Sequence, residues 1–144
     1  VGDGDADVAR LPVLPRLASL VEWPGGGCPL EEYYYIKRAL LPHPEDVACA
    51  PVEDGAMEPA LWERSLVGVD MAPRDVAALN GRVVAARDGE GVVLRRVVSS
   101  AAGVVLVPDA GAERRGSVVS CAESGPGRDV LGVAIFAFRS FAGG

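Results

Sequence analysis

The chain has 144 residues, 49% of them apolar and 6% aromatic, with a formal net charge of −6, which suits one domain around one core. Its acidic residues are spread along the sequence, and such a surface repels phosphate, so direct nucleic-acid binding by this segment is not expected. Apolar runs fall well short of the ~20 residues that cross a bilayer, and 18 glycines, 11 prolines and frequent valine point to a β-rich domain with many turns.

In chain order, residues 1–10 are polar and acidic and read as a disordered lead-in or linker end, leaving 11–144 as the domain. No charged-then-apolar leader opens the chain, so a signal peptide is not expected and the expected location is cytoplasmic. Val1 in place of Met is what a fragment or processed form would show. Residues 11–20 predict an edge strand, the setting in which Pro12 and Pro15 are tolerated. Residues 24–29, Pro-Gly-Gly-Gly-Cys-Pro, predict a mobile loop. Strands are expected at 33–36, where three tyrosines precede Ile36, and at 47–52, which reads as buried. A turn at 41–46 separates them. Residues 57–61 predict one short helical turn with Pro59 inside it. Strand 65–70 and a partly helical connector at 73–80 follow.

From Gly81 a meander is expected. Strands at 82–87 and 92–98 flank a turn at Asp88-Gly89-Glu90-Gly91, with glycine where positive φ is needed. Further strands are expected at 104–107 and 117–121. The last element, 130–141, is apolar and is expected to leave a sticky edge that pairs with its own copy. No solenoid or propeller repeat is present. The fold class is therefore mostly β.

Residues 52–59 read Val-Glu-Asp-Gly-Ala-Met-Glu-Pro. This stretch resembles the Val-x-Gly-Asp-Ser-Met-Glu-Pro box of the LexA/UmuD-like serine peptidase domains, in which the serine attacks a peptide bond. Leu94-Arg95-Arg96-Val97 is similar to the Val-Lys-Arg-Leu setting of that family's lysine base. The resemblance extends from about Leu11 to Phe141. It includes Leu66-Val67-Gly68-Val69-Asp70, like the strand after the box, and Leu131-Gly132-Val133-Ala134-Ile135, like the last strand near the family's dimer contact. It implies several short, highly twisted antiparallel strands with one or two helical turns.

At the serine position stands Ala56, whose methyl group cannot attack a carbonyl. At the lysine position stands Arg95, whose guanidinium stays protonated and cannot take a proton from a hydroxyl. Lys37 is the sole lysine, against thirteen arginines, so no other lysine follows the box to replace the base. The Gly-Asp pair before the serine is Asp54-Gly55 here, and the usual Gly-Asp after the box is Arg64-Ser65. The scissile Ala-Gly pair corresponds to Ser19-Leu20. Several linked losses point to natural decay rather than to an engineered Ser-to-Ala change.

The resemblance thus implies a pseudo-peptidase: the dimerisation and regulatory domain of a LexA-like or phage-repressor-like transcription regulator, unable to cut itself. DNA would be read by an upstream helix-turn-helix outside this chain. The rivals are an active Ser/Lys autopeptidase or signal-peptidase-like protein captured as an alanine variant, and a UmuD-like interaction protein with no DNA-binding half. Leu20, Val21, Trp23 and Met57 are expected to fill the relic cleft as a plug, or else to line a groove open to a partner strand. Val133, Ile135, Phe136 and Phe138 are the expected homodimer interface, and a regulatory protein partner is a further expectation.

Each residue also has a plainer reading. Ala56 is equally a small residue in a tight turn. Arg95 is equally a solvated charge on a strand, or else it points toward Ala56 and pairs with Glu53, Asp54 or Glu58. Ser65 is a hydroxyl near the box, with no histidine or lysine base in motif spacing. Tyr33, Tyr34 and Tyr35 read as core and interface filling rather than a ligand cage. Cys28, Cys49 and Cys121, with the single His43, show no metal-ligand spacing, so neither metal nor cofactor is expected. They read as free thiols, with Cys28 the best redox candidate because of its Gly-rich loop.

Overall fold

Valine-rich runs that alternate with small residues form the strands, because branched side chains pack well on a pleated surface. The structure is a computed structural model in which residues 7–23, 32–53, 56–58, 60–88, 91–101, 103–109, 119–121 and 130–138 are described. Nine strands follow in order: β1 (Val8–Pro12), β2 (Tyr33–Lys37), β3 (Val47–Pro51), β4 (Leu66–Asp70), β5 (Val83–Asp88), β6 (Gly91–Ser100), β7 (Gly103–Val107), β8 (Val119–Cys121) and β9 (Val130–Phe138). Short 3₁₀ turns lie at Leu17–Val21, Arg38–Leu40, Pro44–Asp46 and Val76–Leu79. The mostly-β expectation holds. No helix among the described residues is long and apolar enough to cross a membrane.

β1 and β2 form a separate two-stranded ribbon; the other strands form one sheet in the order β3-β4-β9-β5-β6-β7-β8. Every pair in it is antiparallel. Strand alternation sends neighbouring side chains to opposite faces. On one face Ala48, Val67, Val69, Ala85 and Leu94 pack under Leu17, Leu20 and Met57. On the other, the 3₁₀ turn with Val76 and Leu79 covers Val84, Ala86, Val97 and Val133. The ribbon covers a further patch, with Ala9 and Leu11 over Val47 and Cys49.

Three expectations need correction. The lead-in expected through residue 10 ends earlier, because β1 begins at Val8 and Ala9 is buried, while residues 1–6 lie outside the described set. The strand expected over 11–20 ends at Pro12, after which Val13 makes one parallel bridge to Cys49 and Leu17–Val21 coils into a 3₁₀ turn. Two prolines remove the donors that a longer ladder requires. Finally, β9 is central rather than an edge. It is hydrogen-bonded to β4 on one side and to β5 on the other, with a register shift on each side.

That last correction is partial. Pairing with β5 reaches only Val84 opposite Val133, whereas pairing with β4 runs on to Leu66 opposite Phe138. Among the described residues, Phe136 to Phe138 therefore have a ladder on one side only, and Ile135 is passed over where the β4 register shifts. Val133 is buried, Ile135 and Phe136 are half-buried and Phe138 is 41% exposed. Tyr34 stands within 4.7 Å of the Phe138 ring centroid and 6.1 Å of that of Phe136. Tyr33 and Tyr35 are exposed, and Arg10 lies over the Tyr33 ring at 4.4 Å. Of the three tyrosines, only Tyr34 joins a hydrophobic cluster.

The expected loop at 24–29 with Cys28, the Asp54-Gly55 pair, Pro59, and Gly89-Glu90 all lie outside the described residues.

Candidate functional site

β3 leads directly into the altered box, and the β3–β4 ladder is extended by Val52. Its N–H donates to the Ser65 carbonyl (2.8 Å), and its carbonyl accepts from the Arg64 N–H (2.8 Å). One further turn closes where the Leu61 N–H donates to the Met57 carbonyl (2.8 Å). These bonds hold Ala56 and Met57 in the interior, at 0% and 1% exposure. Arg64, at the position corresponding to a glycine, keeps a backbone that suits glycine: its φ is +75°. A side chain there costs roughly 1–2 kcal/mol against Cβ crowding.

Arg95 lies opposite Val84 in the β5–β6 ladder, on the face away from Leu94. It is 1% exposed, which overturns the reading of a solvated surface charge. Its Nη1 donates to the Leu94 carbonyl (2.7 Å). A buried guanidinium needs hydrogen bonds to offset lost hydration, and a backbone carbonyl supplies one. Of the carboxylates expected to meet it, Glu53 is engaged elsewhere: its Oε2 accepts the backbone N–H of Leu17 (3.1 Å).

That bond ties the box to the segment holding Ser19 and Leu20, the pair expected at the cleavage site. Ser19 and Leu20 lie inside the 3₁₀ turn, where the Ser19 N–H donates to the Arg16 carbonyl and the Glu22 N–H to the Ser19 carbonyl, both at 3.1 Å. A peptide presented to a nucleophile in a cleft must be extended; this one is coiled. In a 3₁₀ helix residues three apart eclipse. Leu17 and Leu20 accordingly share one buried face, which packs with Met57 and with Leu14 from the segment before the turn, and Trp23 packs at its edge. Val21 falls off that stripe and is 38% exposed, so its expected place against the box is taken by Leu17. The period-three recurrence Leu14, Leu17, Leu20, Trp23 was present in the sequence, but it is neither the strand period nor the α-helical one, and Leu14 and Leu17 were missed.

Ser65 is 3% exposed and engaged through its backbone in the β3–β4 ladder. Cys49 is fully buried, and burial pushes its thiol up to about 12, so it stays a protonated, unreactive side chain at neutral pH. The Tyr34 phenol is pushed up as well, by its own burial and then by the neighbouring Cys49. Among the described residues, His43, Glu45 and Asp46 bring one ligand atom each within 4.8 Å of one another on a turn where His43 and Glu45 are exposed. Exposed carboxylates gather in this way without an ion.

A family model described as Peptidase S24-like matches residues 23–114. No curated protein matches the chain significantly.

Proposed function

The chain belongs to the peptidase S24-like family, and from that membership we propose that it is a domain of this type that no longer cuts peptide bonds and serves instead for dimerisation and regulation. The observation that carries the reading is the pair Ala56 and Arg95. The first offers no nucleophile, and the second, sealed at 1% exposure, is a cation with no basic lone pair to offer. Two supports accompany it. The segment that would be cut is coiled and held to the box by Glu53. The last strand leaves Phe136 to Phe138 laddered on one side only among the described residues, an edge that a second copy fits across a two-fold axis.

In this reading the domain pairs two copies of a LexA-like or phage-repressor-like regulator, whose DNA-reading helix-turn-helix lies upstream of the sequence given. Pairing raises the effective concentration of the second reading head without any new DNA contact. Because self-cutting is lost, release depends on another input.

The test is incubation of the purified chain at alkaline pH, where domains of this type cut themselves. The chain should stay intact, and Ala56→Ser alone should leave it intact as well, because Arg95 remains. A discrete fragment ending near Ser19 would refute the reading. Sedimentation at micromolar concentration should show a dimer, and Phe138→Asp should shift it toward monomer.

A further inference from the structure

The two-stranded ribbon presents an outer face that nothing among the described residues covers. Its register pairs Val8 with Lys37, Arg10 with Tyr35 and Pro12 with Tyr33. Alternation sends Ala9, Leu11, Tyr34 and Ile36 inward, onto Val47 and Cys49, and the other six residues outward. Val8, Tyr33 and Tyr35 of the outward set are exposed, Tyr35 at 62%, and Leu40 adds an exposed side chain just past β2. The charged members of the face are Arg10 and Lys37, both cations, in a chain whose net charge is −6. The carboxylates nearest in sequence, Asp7 and Glu32, fall on the opposite phase of the two strands.

The backbone supplies a second observation. At the two ends of the ladder, the Val13 N–H donates to the Glu32 carbonyl (3.1 Å) and the Arg38 N–H to the Asp7 carbonyl (2.7 Å). An antiparallel pair exchanges its bonds at every second residue. The even-numbered residues of β2 therefore bond to β1, while Tyr33, Tyr35 and Lys37 turn their N–H and C=O groups away from it. No further strand lies beside β2 among the described residues. The outward side chains and the unladdered backbone groups thus belong to the same three residues.

We propose that β2 is a docking edge for an extended acidic peptide of a partner protein, which adds as a third strand of the ribbon. The peptide carries two carboxylates four positions apart. One lies beside Lys37, the other beside Arg10 where its guanidinium stands over the Tyr33 ring at 4.4 Å, and an apolar residue midway between them meets Tyr35. A second copy of this chain fits the edge poorly. Antiparallel self-pairing about Tyr35 would set each Lys37 opposite the Tyr33 of the other copy, against the Arg10 already there, and like charges facing across strands repel. A nucleic-acid strand has no regular row of donors for the β2 carbonyls, and an acidic chain repels it.

The experiment titrates the whole 144-residue chain, labelled with ¹⁵N, with the peptide Ac-Ser-Glu-Thr-Val-Thr-Glu-Ser-NH₂. The control peptide has lysine in place of both glutamates. The acidic peptide should shift the amides of Tyr33, Tyr35 and Lys37 saturably and slow their exchange with solvent. The lysine peptide should bind at least fivefold more weakly. Lys37→Glu should weaken the acidic peptide at least fivefold. Tyr35→Pro removes an outward N–H at a place where an edge strand tolerates proline, and it should abolish binding. If the proline variant does not fold, Lys37→Glu, a change at an exposed side chain, decides together with the two-peptide comparison. Equal binding of the two peptides, or unchanged affinity in Lys37→Glu, would overturn the proposal. So would tighter binding of an oligothymidylate than of the acidic peptide, or protection of the Tyr35 amide that rises with protein concentration alone.

Discussion

Replacing Leu20 with alanine measures whether the coiled segment is part of the core. Leu20 is 1% exposed and packs with Met57, Leu17 and Val67. The substitution removes three carbons from that cluster, about 2.5 kcal/mol of transfer free energy at ~0.8 kcal/mol each. The cavity left behind adds to it, since Leu→Ala losses in cores run at about 2–5 kcal/mol. About 3 kcal/mol is therefore expected. With a urea m-value of about 2 kcal/mol/M for a domain of this size, the midpoint should fall by about 1.5 M. Val21→Ala is the internal control, because Val21 is 38% exposed and one position off the buried stripe; it should cost under about 1 kcal/mol. Hydrogen exchange adds a local readout: the amides of Leu17, Ser19 and Glu22, each with an acceptor, should be protected. If Leu20→Ala costs no more than Val21→Ala and these amides exchange freely, the segment is a detached strap over an open groove, and the argument fails.

Three further outcomes follow from single positions. Cys49 has its pKa raised by burial to about 12, so above about pH 8.5 the unfolded chain loses this proton while the folded chain keeps it. The unfolded state then binds fewer protons, stability falls as pH rises, and the slope approaches about 1.4 kcal/mol per unit until about pH 12. Urea midpoints between pH 8 and 10.5 should fall less steeply in Cys49→Ala than in the parent. Arg64→Gly should be neutral or stabilising by up to about 1 kcal/mol in thermal melts, because φ is +75° there, whereas glycine in an ordinary backbone costs about that much. Gly68→Ala should destabilise by about 1–3 kcal/mol, since a Cβ there would run into the Phe136 ring; a soluble variant with unchanged stability would contradict the packing of β4 on β9.

The strands were legible where short runs of valine and small residues stood between turn signals. Val47–Pro51, Leu66–Asp70 and Val83–Asp88 lie within a residue or so of expectation, because burial on a sheet dictates their valines and small residues. The box and the Arg95 position were visible as motifs. Sheet order was not: nothing local in Val130–Phe138 tells a central strand from an edge, as both read as apolar runs and the choice is made by β4 and β5. The burial of Arg95 was equally hidden, because a charged residue between valines reads as an outward position until the packing on both faces is known. The Asp70–Arg74 pair had a weak trace in its four-residue spacing, but that spacing signals a contact only on a helix, and here a loop makes it.

The position of β9 sets the order in which the molecule can be assembled. Without Val130–Phe138, β3 and β4 form one hairpin and β5 to β8 a separate meander, with no ladder between them among the described residues. The strand that joins them comes about sixty residues after β4 and must slot between two edges that already exist. Closing such long loops slows folding relative to local pairing. The sheet is a single unit only through β9, which pairs with β4 on one side and β5 on the other.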